Sequence, residues 1–406
     1  MMNWMRDTVL TLPSFLQIHG FSGNSGPSYR LIHGNNKEIS NMLKEAMSKP
    51  IRNLSHDVLS AVQPHIHSWT KTYGKNFLQW YGLQPVLVIT EPELCKEILN
   101  NKDRLYSKKK PNVYGKKLFG DSISIAEGEK WSKLRKLSNH AFHGDSLKSM
   151  IPDMIASSEA MLEGWKKHEG KEIEVYEQFR LFTSEVISRT AFGSCYLEGK
   201  NIFDMLMKLS SVIFRNSYKL RIPGISKVYK PTLHPDWQEK ARNEVLQLFG
   251  KETRNPDGLA KLKTMSMIIN ESLRLYPPVI VLRRKVDMEV RLGNLIVPAN
   301  VELLVPNLAL HHEPQIWGQD VKLFKPERFS DGVANATNNN MAAFLPFGMG
   351  PRTCVGLNFA TIEAKIALSM ILQRYAFTLS PAYVHSPFQF LTVRPQHGLQ
   401  VILNSL

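Results

Sequence analysis

The sequence predicts a mainly α-helical fold with a small β region, in one domain. Three observations point there. Apolar residues recur at helical spacing over several long segments. Runs with strand character are short and confined to about 77–90, 281–305 and the C-terminus. No internal repeat is present, which excludes a solenoid.

The elements follow in order. Residues 20–30, GFSGNSGPSYR, carry glycines at spacing three with no strand before them. That predicts a flexible entry segment rather than a nucleotide loop. We take 1–27 as a flexible N-terminal segment and 28–406 as the domain. Residues 77–81 and 85–90 read as a hairpin, followed by a helix that starts at Glu91–Pro92, since proline suits the first helical position. Helical patterns then cover 131–142, 151–168, 176–193 and 202–218. HPDWQEKARNEVLQLFG is a helix with Asp236 near its start and Gly250 at its end. LAKLKTMSMIINESLRLYPP reads as one further helix, with Met265, Ile268, Ile269 and Leu273 in phase and Pro277–Pro278 stopping it. Short strands fill 281–305, a helix runs from about Leu357 to Tyr375, and RPQHGLQVIL ends the chain as a strand.

Composition narrows the function classes. A chain of 406 residues, 43% hydrophobic and 21% charged, can bury a large core and is not disordered. Its Cys95, Cys195 and Cys354 are far apart and odd in number, which argues against a disulfide framework. Cys95 and Cys195 read as core. The net charge of +15 invites a nucleic-acid reading, but no nucleic-acid motif supports it. The densest basic stretch holds Lys108, Lys109, Lys110, Lys116, Lys117, Lys130, Lys133, Arg135 and Lys136. Such a face suits an acidic protein partner or an anionic membrane surface; a solvated face with no partner is the alternative. No apolar run is long enough to span a bilayer. MMNWMRDTVLTLPSFLQ is broken by Arg6, Asp7 and Pro13, so it reads as neither signal peptide nor anchor.

The chemistry concentrates in PFGMGPRTCVG, where Phe347, Gly350, Arg352, Cys354 and Gly356 form the pattern F-x-x-G-x-R-x-C-x-G. Five fixed positions give on the order of one chance match in ten thousand sequences. A thiol has a pKa of about 8.5, which a metal or nearby cations lower. Glycines allow close backbone approach, and the helix from Leu357 turns its positive end toward a thiolate. Ala360, Ala364 and Ala367 keep that helix slim. Arg352 offers a fork for a carboxylate. Together these describe a thiolate holding haem iron, with an arginine on a haem propionate.

On these residues the sequence resembles the cytochrome P-450 family of haem-thiolate monooxygenases, and in detail its plant clan acting on terpenoids, hormones and other lipophilic molecules. More motifs match in order, from about Ser28 to Leu403. Trp131 and Arg135 stand as in W-x-x-x-R, whose side chains meet a propionate in the family. Glu271 and Arg274 match E-x-x-R. Pro326-Glu327-Arg328-Phe329 matches P-E-R-F, whose arginine, here Arg328, closes a buried triad with that pair. Arg284 sits where the family places another propionate arginine. The bland reading of Glu271 and Arg274 is an exposed i,i+3 pair. His311–His312, followed by Pro314, read as a loop rather than a metal site, since neighbouring side chains diverge.

The resemblance implies haem b with Cys354 as axial ligand. It implies an NADPH-dependent reductase docked on the basic proximal face, for which Lys130, Lys133 and Lys136 are candidates. It also implies a lipophilic substrate and residence at the cytosolic face of the endoplasmic reticulum membrane, with this chain, lacking an anchor, either soluble or in peripheral contact. The family's oxygen-activating A/G-G-x-D/E-T motif should precede HPDWQEKAR, on a long distal helix. Nothing lies between Lys230 and Pro231, and GKET at 250–253 follows that helix instead of preceding it. The sequence reading is therefore an incomplete P-450 fold with an internal deletion at 230/231 and no identifiable catalytic acid–threonine pair. Its alternative is an inactive haem binder or an unstable product. Sequons at Asn53, Asn270 and Asn335 carry little weight beside this.

Overall fold

A computed structural model describes residues 26–51, 54–111, 113–193, 234–250, 254–389 and 392–406, with 205, 208 and 252. The entry segment up to residue 25, Asn53, Cys195, the 202–218 helix, Lys251, Thr253 and the Lys230–Pro231 junction lie outside them.

The longer helices are α1 Asn36–Ser48, α2 Pro64–Tyr73, α3 Pro92–Asn100, α4 Gly128–Ala141, α5 Gly144–Trp165, α6 Val175–Phe192, α7 Pro235–Phe249, α8 Lys263–Leu275 and α9 Leu357–Arg374. Proline opens α2, α3 and α7, where its missing N–H costs nothing. Glu174 caps α6 by accepting from the N–H groups of Tyr176 and Glu177, and Gly193 ends it in the left-handed region. No described helix is long and apolar enough to cross a membrane.

The strands are β1 Asn76–Tyr81, β2 Gln84–Ile89, β3 Tyr106–Ser107, β4 Glu172–Glu174, β5 Leu282–Val286, β6 Val290–Leu292, β7 Leu295–Val297, β8 Glu302–Val305, β9 Tyr375–Leu379, β10 Pro387–Gln389, β11 Val393–Pro395 and β12 Gln400–Ser405. The main sheet has the order β1-β2-β8-β5-β3, and β2 pairs with β8 in parallel, Val86 opposite Glu302. A second sheet, β4-β12-β9, ties residues 172–174 to the C-terminus. One apolar core lies among α5, α6, α7 and α9, with Met154, Leu162, Val186, Val245, Ile366 and Met370 fully buried. Another lies under the main sheet, around Leu87, Ile98, Leu303 and Leu345. By contrast, α4 buries none of its residues. Polar contacts, described below, must therefore fix its position.

Three expectations are corrected. The single helix over LAKLKTMSMIINESLRLYPP is two, Pro256–Lys261 and α8, broken at the fully buried Leu262. The Glu244 carboxylate on α7 accepts the N–H groups of Thr264 and Met265 at 2.7 and 3.0 Å, so α8 is capped from another helix. The helix expected from 151 begins at Gly144, because Leu147 and Ile151 already bury; Pro152 lies inside it. His311–His312 do not form a surface loop: His311 ends a short helix, Asn307–His311, and both rings are buried.

Glu271 and Arg274 are fully buried, so the exposed-pair reading fails. Arg274 grips Glu271 with Nε and Nη2, both at 2.7 Å, and its Nη1 donates to the His311 carbonyl at 2.9 Å. Arg328 closes the group, 3.6 Å from Glu271, while donating to Asp320 Oδ1 at 2.6 Å. Lys325 and Arg328 together hold Asp320 down to about 2. His311 Nε2 accepts the Leu345 N–H at 2.8 Å, so Nδ1 carries the proton and donates to the Arg274 carbonyl at 3.2 Å. The triad thus reaches the start of the cysteine loop.

Two predictions follow from these burials. Glu271→Ala strands a buried guanidinium, and urea unfolding is expected to register a loss of about 3–5 kcal/mol; an unchanged midpoint would contradict the triad's role. Burial also pushes His65 and His311 down to about 3, and His56, His312 and His385 to about 4, from 6.5. Below pH 6.5 the unfolded chain binds protons that the folded chain refuses. Stability is then fully present above pH 6.5 and falls as pH drops toward 4, by about 1.4 kcal/mol per pH unit for each such histidine. A thermal midpoint that stays level between pH 7 and pH 5 would refute this.

Candidate active site

The loop from Pro346 to Gly356 leads from the main-sheet core into α9. Gly348 and Gly350 both have positive φ, +74° and +71°. A Cβ on Gly350 would lie 2.5 Å from the Leu99 carbonyl oxygen and 3.0 Å from the Cα of Asn100. Gly350 is therefore required because the loop packs on the end of α3, a different reason from the close cofactor approach the sequence suggested. The Cys354 N–H donates to the Phe347 carbonyl at 2.8 Å, and Thr353 donates through N–H and hydroxyl to the Gly350 carbonyl. This leaves the Cys354 thiol exposed, two residues before Gly356, the N-cap of α9, which no side chain caps. Cys95 is buried, and burial pushes its thiol far up.

Phe347 lines a cavity of about 480 Å³ together with Ile269, Val333, Phe344, Met349 and Leu357. The cavity lies between α8, the segment around Val333 and the cysteine loop.

The loop is clasped to α4 and the residues before it. Arg352 Nη1 donates to the Ala126 carbonyl at 2.7 Å, Nη2 pairs with Glu127 at 2.5 Å, and its guanidinium lies 4.1 Å from the Trp131 ring centre. Arg135 Nη1 donates to the Thr353 carbonyl at 2.5 Å. These contacts hold the helix that buries nothing. Arg284, on β5, is 5% exposed and makes no ion pair among the described residues; its Nη1 donates to the neighbouring Arg283 carbonyl. Burial, and then Arg352, push Arg284 down to about 10, with Glu127 opposing. Burial, Arg284 and Arg352 likewise push Lys108 down to about 8.

The structure thus brings together Trp131, Arg135, Arg284, Arg352, Cys354 and Gly356, while Glu271, Arg274 and Arg328 stand behind them. The basic stretch divides. Lys108 donates to the Ser124 carbonyl, and Lys109 pairs at 2.6 Å with Glu302, whose side chain is almost fully buried. Both are engaged with the protein, although Lys109 stays exposed. Lys130 pairs with Asp121, and Lys133 and Lys136 are exposed. Sequence reasoning missed Glu127 and Gly348, and read Lys108 only as part of a basic face. Only Gly348 carried a local signal, as a second glycine in a tight loop.

Do these residues fit a haem? A flat group with two carboxylates and an iron needs an accessible thiolate and surplus cations nearby. Among the described residues, Lys108, Arg284 and Arg352 face one carboxylate, Glu127, with Arg135 close by, beside an exposed thiol at an uncapped helix start. The donor set fits.

Comparison with known proteins agrees. The family model described as Cytochrome P450 matches residues 56–233 and 228–403. Cytochrome P450 CYP749A22 of Panax ginseng is 51% identical over 473 residues, covering 95% of this chain and 90% of the relative. Cytochrome P450 72A397 of Kalopanax septemlobus is 38% identical over 501 residues, covering 100% and 95%. Secologanin synthase 1 of Catharanthus roseus is 34% identical over 504 residues, covering 100% and 94%. With its helical fold, its small β region and its cysteine loop, the chain belongs to the cytochrome P450 family of haem-thiolate monooxygenases.

Proposed function

We propose that this chain is a monooxygenase that inserts one oxygen atom from dioxygen into a lipophilic small molecule, with electrons from an NADPH-dependent reductase. The observation that carries the reading is the exposed Cys354 thiol at the start of α9, among cations that outnumber their carboxylates. Bound haem would supply the dioxygen activation.

The chain's own residues supply position and charge. Cys354 would hold the iron through its sulfur; its N–H is tied to the Phe347 carbonyl and the residue is exposed. Arg284 and Arg352, with Arg135 and Trp131, would hold the propionates. Gly350 lets the loop sit against α3. Lys133 and Lys136, exposed on α4, are docking cations for an acidic reductase. The setting is the cytosolic face of the endoplasmic reticulum membrane, as is general in the family.

A second reading has its own observation. The family model matches in two stretches that meet at 228–233, and the match to the Kalopanax relative runs over 501 positions against 406 residues here. Both favour an internal deletion at 230/231, which takes away the oxygen-activating motif and the distal helix that carries it. Such a chain binds haem but leaks electrons to water-accessible oxygen, because nothing excludes solvent from the reacting side.

Haem-loaded protein, reductase, NADPH and a lipophilic test compound under labelled dioxygen separate the two. Labelled hydroxylated product, abolished by Cys354→Ala, supports the monooxygenase. NADPH consumption with hydrogen peroxide and no labelled product would sink it in favour of the second reading.

A further inference from the structure

The cationic cluster beside Cys354 contains one carboxylate, and its placement is specific. Glu127 Oε1 accepts the Lys108 backbone N–H at 2.7 Å, and Oε2 pairs with Arg352 Nη2 at 2.5 Å. Donors from two separate loops converge on it, which is how a carboxylate site is built. Arg352 does not depend on Glu127 for its orientation. Its Nη1 is held by the Ala126 carbonyl and its plane by Trp131. The Glu127 side chain is 43% exposed, against 14% for Arg352. Moving it into water therefore costs little, as for exposed ion pairs in general. Arg284, by contrast, is buried and makes no ion pair among the described residues. With Lys108 and Arg135 close by, the cluster attracts more negative charge than Glu127 brings.

We propose that Glu127 is a resident counter-ion, displaced from Arg352 by a carboxylate of the incoming cofactor, so that haem uptake is a carboxylate exchange. Glu127 is then a positioning residue that sets affinity for the cofactor through Arg352 and the Lys108 loop. This rests on the haem reading above.

The test compares the full-length wild-type protein with Glu127→Gln, which keeps an acceptor for the Lys108 N–H and loses the charge. Haem and its iron protoporphyrin dimethyl ester, which has no free carboxylates, are titrated into each. The quantity read is the ratio of haem affinity to ester affinity, which cancels any change in fold stability. Glu127→Gln is expected to raise this ratio about fivefold at low salt, and less at high salt. Glu127→Asp, which keeps the charge, is expected to leave it near the wild-type value. An unchanged or lowered ratio in Glu127→Gln, or an equal rise in Glu127→Asp, overturns the exchange while leaving the haem reading intact. Failure of every protein to take up haem overturns both.

Discussion

The pair between Glu271 and Arg274 organises the surroundings of the site. Both side chains are fully buried, so their charges are tolerable only because each guanidinium nitrogen and each carboxylate oxygen has a partner. Arg274 spends its remaining N–H groups on the carbonyls of His311 and Leu323, and Glu271 accepts the Lys325 N–H. The end of α8, the short helix Asn307–His311 and the turn at Pro326–Phe329 are thereby joined. His311 carries the connection one step further, since its ring accepts the Leu345 N–H just before the cysteine loop. A charge pair with no contact to the thiol thus sets where the loop begins.

From the other side the loop is held by α4. That helix buries nothing and is positioned by Arg135 on the Thr353 carbonyl and by Arg352 against Ala126, Glu127 and Trp131. The contacts that place α4 are also the cationic groups a dicarboxylate cofactor would meet. On the proposed reading, structure and binding would share the same arginines.

Much of this was legible in the sequence, and the boundary is physical. The hairpin at 76–89 and helices α7 and α9 follow from local periodicity, proline and glycine. E-x-x-R, P-E-R-F and the cysteine motif stand out because their spacing is fixed by direct contact. What stayed hidden depends on partners far along the chain. Leu262 breaks a regular helical pattern because Glu244 caps the next helix from α7. His311 and His312 are buried by tertiary packing, which no adjacent residue announces. Lys109 turns inward to Glu302 on β8, and Glu127 meets Arg352 from the opposite end of the chain. Even Gly350, correctly singled out, owes its glycine to the carbonyl of Leu99.

The central claim is that Cys354 holds haem iron as a thiolate. The absorption spectrum of the reduced, carbon-monoxide-bound protein after haem supplementation tests it most directly. The account predicts the red-shifted band of thiolate ligation, lost in Cys354→Ala. No haem uptake, or only the band of a neutral ligand, would contradict it.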